Sequence, residues 1–320
     1  MNQVLIIDKA AGMTSHDVIN SARRILGLRS IGHLGTLDPA ATGVLPLVIG
    51  NFTRLAQFYL GAEKQYEGVI RLGFATDTFD AEGDPVGLEH AVDGITEDQV
   101  REAASRFLGK IEQMPPPFSA KKIRGVPAYK LARKQQEVHL DPVTVEVHEL
   151  EILSLEGVRV RFRARVGSGT YMRSIAHDVG KALSCAGHLE SLRRTAHGEF
   201  TLAGAHTLEE VAAAAAEVDA GRNAAALDEL FLHPRKLLPK IPSVTANEDQ
   251  IALIRHGRAV NLPEMSKSQY VKVFQGQMEL IAIAARVAGT LFHPKIVFAT
   301  EDPSTDGKGK QPVEAESRQD

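Results

Sequence analysis

Apolar positions recur at helical spacing in several stretches of the chain. Val18, Ala22, Ile25 and Leu26 share one face of a helix that Thr14 or Ser15 can cap and that Gly27 ends. Further on the period changes to two. Tyr66, Gly68, Ile70, Leu72 and Phe74 alternate with Glu67 and Arg71, as in a half-buried strand. Thr96 and Gln99 form a capping box for a helix that runs through Val100, Ala104, Phe107 and Leu108 to Gly109. Met114-Pro115-Pro116-Pro117 breaks that pattern. From Val158 to Val166 the alternation is strict, with Arg159, Arg161, Arg163 and Arg165 on one face and Val160, Phe162 and Ala164 on the other. Gly167-Ser168-Gly169 closes this strand. Ile175, Ala176, Val179 and Leu183 then mark a helix, and Thr207 with Glu210 caps an alanine-rich one. Helices and strands mix without an internal repeat, which predicts an α+β fold with a mainly antiparallel sheet.

Three prolines between Pro234 and Pro242 mark a domain boundary near residue 238. A small domain over 239–300 follows. It has a short helix at Ile251–Arg255, a turn at Gly257, and strands near Tyr270–Phe274, Met278–Val287 and Leu291–Phe298, with a hairpin turn at Gln275-Gly276-Gln277. Residues 301–320 lack aromatics and are rich in Asp, Glu, Gly, Pro and Ser, the composition of a disordered acidic tail.

The chain of 320 residues is long enough for two domains. Its one cysteine, Cys185, leaves no disulfide framework and no cysteine zinc site within the chain, which fits a reducing compartment. The apolar run Val4–Ile7 is too short for a secretory signal, and no stretch approaches the ~20 residues of a membrane span. A cytoplasmic protein is the expectation. The net charge of −3 argues little for a nucleic-acid partner, but the acidic tail accounts for that excess. Lys121, Lys122, Arg124, Lys130, Arg133 and Lys134 cluster with no acid among them. The arginine stripe at 159–165 has two readings: a phosphate-contacting face, or a solvated face paired with glutamates.

The chemistry concentrates at Gly32-His33-Leu34-Gly35-Thr36-Leu37-Asp38-Pro39-Ala40-Ala41-Thr42-Gly43. An Asp-Pro pair alone marks a turn. Here glycines flank it, and Gly32, Gly35 and Gly43 would let the backbone approach something closely. One aspartate without a partner carboxylate is poor equipment for ordinary glycoside hydrolysis, but it suits nucleophilic catalysis. The acidic run Asp77–Asp84 imitates a calcium loop, yet Thr78 stands at its first position and no exiting apolar helix follows. No phosphate-binding glycine loop is present.

These residues closely resemble the bacterial tRNA pseudouridine synthase B (TruB) family. The resemblance rests on Asp8-Lys9-x-x-Gly12-x-Thr14-Ser15, the Gly32–Gly43 segment, Lys64-x-Tyr66, Thr76-Asp77-Thr78-x-Asp80-Ala81-x-Gly83, Pro116-x-x-Ser119-Ala120-x-Lys122, Gly169-Thr170-Tyr171-x-Arg173-Ser174 and Leu192-Arg193-Arg194. Ala10 departs from it, standing where the family usually has proline. The resemblance implies a pseudouridine synthase domain over 1–238, with an RNA-clamping insertion at about 115–147, and a PUA-like β-barrel over 239–300. It implies a monomer that isomerises uridine 55 in the T-loop of tRNA, with no cofactor, no metal, no membrane and no guide RNA. Asp38 would act at the ribose C1′, paired with Arg173 in a closed pocket. Tyr66 would remove the C5 proton. His33 would fill the gap left by a flipped base. Asp80, Tyr171, Leu192, Lys9, Gly35 and Thr36 would complete substrate binding. Lys121, Lys122, Arg124 and Lys130 would contact the RNA backbone. Two rival readings are a non-catalytic tRNA-binding or folding protein and a guide-RNA-dependent relative.

Overall fold

The computed structural model describes residues 1–118 and 141–298, with the backbone of 122–123 and 126–127. It divides into two compact units, Gln3–Lys240 and a second that contains Met1–Asn2 and begins again at Ile241.

The larger unit is built on a nine-stranded sheet. Its strands are β1 (Gln3–Lys9), β2 (Ile31–His33), β3 (Thr42–Ile49), β4 (Lys64–Leu72), β5 (Gly109–Gln113), β6 (Val143–Glu156), β7 (Arg159–Val166), β8 (Gly187–His197) and β9 (Phe200–Thr201). They lie in the order β1-β3-β8-β4-β7-β6-β5, with β2 on β3 and β9 on β8. Every pairing is antiparallel except β3 with β8, whose short parallel register sets Arg193 and Arg194 beside Thr42 and Gly43. Four helices bury their apolar faces in one continuous core with this sheet. They are α1 (Ser15–Leu26), α2 (Glu97–Ser105), α3 (Met172–Ala182) and α4 (Leu208–Asp219). Val18, Val100, Ile175, Val179 and Val211 meet Leu5, Ile7, Leu45, Leu47, Ile70 and Phe162 there.

Local chemistry sets the helix ends. Thr14, Thr96 and Thr207 each close a full capping box, and Gly27 ends α1 in the left-handed conformation at φ 66°. Two elements differ from the sequence expectation. Helix α2 stops at Ser105, and Gly109 opens β5 instead of ending the helix. Phe107 still packs on the core from the connecting turn, whereas Leu108 is 45% exposed. The strand expected to reach Phe74 stops at Leu72, because Gly73 turns the chain at φ 108°. A third difference concerns the basic insertion. Val143–Val147, at the end of the expected insertion, pairs with β5 inside the main sheet.

The second unit has five strands, β10 (Ser243–Thr245), β11 (Val260–Asn261), β12 (Tyr270–Gln275), β13 (Glu279–Ala288) and β14 (Leu291–Val297), in the order β10-β12-β13-β14-β11. Helix α5 (Glu248–Arg255), capped by Asn247, covers it with Ile251 and Ile254. Gly276 turns the β12–β13 hairpin at φ 59°. Among the described residues no helix is long and apolar enough to cross a membrane.

Candidate active site

Asp38 lies in the loop between β2 and β3, and the loop is held by its backbone on both sides of the carboxylate. Ser15, at the start of α1, donates to the Leu37 carbonyl at 3.1 Å and accepts the Leu37 N–H at 2.9 Å. Lys9, at the end of β1, donates from Nζ to the carbonyls of Ala10, Met13 and Pro39 at 2.8, 2.8 and 3.0 Å. Arg194, on β8, donates from Nη2 to Gly35, from Nη1 to Thr36 and from Nε to Val44, at 3.0, 3.1 and 2.7 Å. Residues scattered over 185 positions thus fix one loop. A buried donor set of this kind positions a reactive group with little freedom to move.

The glycines have separate reasons. Gly43 has φ 99°, and a Cβ there would sit 2.2 Å from the Arg194 carbonyl oxygen, so the β3–β8 pairing requires glycine. A Cβ on Gly35 would meet the His197 ring at 2.9 Å. Gly32 makes no comparably close approach: a Cβ would find only ordinary contacts at 3.6 Å and beyond.

Arg173 enters from the first turn of α3. Its Nε lies 2.9 Å from Asp38 Oδ2, and its Nη2 donates to Asp38 Oδ1 at 3.2 Å. The rest of the guanidinium is committed as well. Nη1 donates to the Thr78 carbonyl at 3.1 Å and lies 3.6 Å from Asp80 Oδ2, and Nη2 also donates to the Phe118 carbonyl at 3.0 Å. Asp80 is buried and organises its own loop, accepting from the Thr78 hydroxyl and the Glu82 N–H. That loop bends through Phe79 at φ 64°, which stacks on His177 with ring centroids 4.0 Å apart. The Arg173 side chain is only 7% exposed, but that of Asp38 is 41% exposed. The carboxylate therefore stands at an open mouth and not in the closed pocket expected from the sequence.

Asp38 and Arg173 line two cavities. One, of about 330 Å³, also contains Tyr66, Tyr171, Leu192, Gly35, Thr36, Lys64 and Arg194. That lies at the small end of the roughly 300–1,000 Å³ range of ligand pockets. The other, of about 730 Å³, contains His33, His16, Asp80 and Phe118. Tyr66 is buried on β4, and burial pushes its phenol up while the Arg194 guanidinium opposes that shift. Burial brings the Lys64 ammonium down to about 8, with Arg194 adding to the effect. His33 is held low by burial and then by Arg194 and His16, which keeps it a neutral ring.

Lys9 lines neither cavity. It is 1% exposed with all three ammonium donors occupied, so the expectation that it touches substrate gives way to a role in holding the Asp38 loop. Three of the four arginines of the β7 stripe pair with glutamates. Arg159 pairs with Glu190, Arg163 with Glu67 and Glu151, and Arg165 with Glu63 and Glu149. The glutamate-paired reading holds for those three, and among the described residues Arg161 has no ion pair. Lys121, Arg124 and Lys130 lie outside the described residues, as does the side chain of Lys122, whose backbone pairs 122–123 with 126–127. The acidic tail also lies outside them.

Two site residues had no individual signal in the sequence. Gln113 is 1% exposed. Its Oε1 accepts the Tyr171 N–H at 2.8 Å and its Nε2 donates to the Tyr171 carbonyl at 3.0 Å, which fixes the entry to α3. Arg194 stood only as the last residue of Leu192-Arg193-Arg194, with no role of its own, although its place two residues after Leu192 on a strand would put both on one face. Among the described residues no group of His, Cys, Asp and Glu is placed to hold a metal.

Comparison with known proteins matches this geometry to a family. The model of the TruB family pseudouridylate synthase N-terminal domain matches residues 23–172, and that of the tRNA pseudouridylate synthase B C-terminal domain matches 173–238. The tRNA pseudouridine synthase B of Solibacter usitatus is 47% identical over 93% of this chain and 100% of its own length. That of Azoarcus sp. is 39% identical over 93% of this chain and 95% of its own. Among solved structures, a chain of a Cbf5–Nop10–Gar1 complex superposes with a TM-score of 0.70 at 28% identity, covering 93% of this chain and 85% of that one. A chain of an archaeal box H/ACA sRNP Nop10–Cbf5 complex gives 0.69 at 26% identity, covering 94% and 87%. With relatives this similar over nearly its whole length, the chain belongs to the tRNA pseudouridine synthase B family.

Proposed function

We propose that this protein isomerises uridine 55 in the T-loop of tRNA to pseudouridine, alone and without a guide RNA or cofactor. The observation that carries the reading is the Asp38–Arg173 pair at the mouth of a cavity that also holds Tyr66. The target nucleotide leaves its helix and enters the site. His33, in the adjoining cavity, supplies a neutral ring for the vacated place in the stack, which offsets part of the few kcal/mol that extrusion costs. Asp38 acts at C1′ as the C1′–N1 bond breaks. The uracil turns within the cavity, bounded by Leu192 and Tyr171, and C5 bonds to C1′ as Asp38 is released. Tyr66 takes the C5 proton, the electron pair of that C–H bond restores the C5–C6 double bond, and N1, freed from C1′, takes up a proton from water. Arg173 keeps the carboxylate aimed through each stage.

Residues 239–300 are read as a PUA-like module that touches the acceptor stem, and Lys121, Lys122, Arg124 and Lys130 as contacts to the RNA backbone. The enzyme is read as a cytoplasmic monomer. The names of the similar solved structures belong to guide-RNA particles. The 47% identity to a tRNA pseudouridine synthase B over its full length favours the protein-only reading over that one. A purely binding protein would need neither the carboxylate pair nor the buried tyrosine. The deciding experiment is incubation of the pure protein with unmodified tRNA transcript and site mapping of pseudouridine. Conversion at position 55 alone supports the reading. No conversion, or conversion only when a guide is added, overturns it.

A further inference from the structure

Arg194 has no part in the mechanism as set out above, yet the site is built around it. It is 1% exposed, one of the largest fully buried side chains in the protein. A guanidinium has five N–H donors. Three go to the carbonyls of Gly35, Thr36 and Val44, on the loop and strand that flank Asp38. The guanidinium also acts electrostatically on the phenol of Tyr66. The backbone sets the two side by side, because Arg194 on β8 is the direct cross-strand partner of Tyr66 on β4 and both line the same cavity. Among the described residues no carboxylate lies within ion-pairing distance of Arg194. A buried, unpaired charge is costly, and pinning three carbonyls does not require a cation.

We propose that Arg194 is the positioning residue for proton removal: it donates to the Tyr66 oxygen, favours its phenolate form, and ties it to the Asp38 loop. The proposal rests on Tyr66 being the base. In the step concerned, the C5–H bond breaks and the proton goes to the Tyr66 phenolate oxygen. The electron pair stays with the ring as C5=C6, and N1 takes up a proton from water. The phenol later returns its proton to water at the cavity mouth. Burial pushes the phenol up, and the adjacent guanidinium opposes that shift. One side chain thus couples the base to the loop that carries the carboxylate.

The test is single-turnover isomerisation of tRNA with hydrogen or deuterium at C5 of the target uridine, by wild type, Tyr66→Phe, Arg194→Met and Arg194→Lys. With Arg194→Met the expected result is a fall of about 10²-fold with a primary isotope effect of several-fold, as proton removal becomes limiting. Tyr66→Phe should show the same effect, and tRNA affinity should stay near wild type. A slow Arg194→Met without an isotope effect, while Tyr66→Phe has one, overturns the role of Arg194 but leaves the base assignment standing. A wild-type rate without an isotope effect in Tyr66→Phe overturns the base assignment itself. Should Arg194→Met fail to fold, Arg194→Lys decides. A rate that reaches its plateau at higher pH than wild type supports the proposal, and superimposable profiles overturn it.

Discussion

The guanidinium of Arg173 grips both carboxylate oxygens of Asp38, with Nε 2.9 Å from Oδ2 and Nη2 3.2 Å from Oδ1. Its other contacts, to the carbonyls of Thr78 and Phe118, leave it no freedom to follow a wandering carboxylate. Lysine cannot reproduce this fork. Arg173→Lys should therefore lose activity nearly as severely as Arg173→Ala, each by about 10²-fold or more in single-turnover rate, since a misaimed nucleophile costs on that order. Thermal unfolding and tRNA binding are the controls. A lysine variant within a few-fold of wild type would show that charge, not the two-point grip, is what Asp38 needs.

Asp38 itself is 41% exposed, and none of the backbone contacts that hold its loop passes through its side chain. Asp38→Asn should leave the loop in place. The expected outcome is loss of pseudouridine formation to background, with tRNA affinity within a few-fold of wild type, because phosphate contacts dominate affinity. The check is a filter-binding titration beside a product assay on the same preparation. Measurable turnover in this variant removes Asp38 from the chemistry.

What could be read beforehand depended on distance along the chain. The capping boxes at Thr14, Thr96 and Thr207 and the glycine end of α1 involve residues three to thirteen apart, and they stand in the structure as the spacing implies. The strict alternation in β7 likewise gave its buried and exposed faces. The pairing of its arginines with glutamates depended on which strands flank β7, and periodicity carries no such information. The same holds at the site. Asp38 stood out because its turn chemistry is local. That Gln113 clamps Tyr171, or that Lys9 reaches Pro39, follows only from how the sheet is ordered. The helical spacing overruns α2 because Phe107 keeps that spacing while packing from a turn.

Lys9 separates a structural role from a substrate contact. Its ammonium is buried and brought down to about 8 by that burial, with the Asp38 charge opposing, and its three donors satisfy carbonyls at 10, 13 and 39. Lys9→Met fills similar space but orphans those oxygens. The protein should lose about 2–4 kcal/mol of stability, and the rate constant should fall with little change in KM. A variant with unaltered stability and raised KM would return Lys9 to the substrate-binding set.

His197 makes the site sensitive to acid. The ring is fully buried, edge-on to Phe200 and against Gly35 in the Asp38 loop. Burial first, and then the charges of Arg194, Lys64 and His33, bring it down to about 3, from an ordinary value of 6.5 in the unfolded chain. Between those limits the unfolded chain binds the proton and the folded one does not. Stability from this residue is therefore complete above pH 6.5 and declines as pH falls toward 3. At pH 4.5 the loss should be on the order of 2–3 kcal/mol. His197→Phe cannot take up the proton in either state, so its stability should fall less between pH 7.5 and 4.5 by that amount, whatever the substitution costs at neutral pH. Urea unfolding of both proteins at the two pH values measures the difference directly. Carboxylates that titrate in the same range act equally on both proteins and cancel. Parallel loss in the two would mean that the ring accepts its proton without opening the fold, and that the Arg194 and Lys64 charges beside it do not resist it.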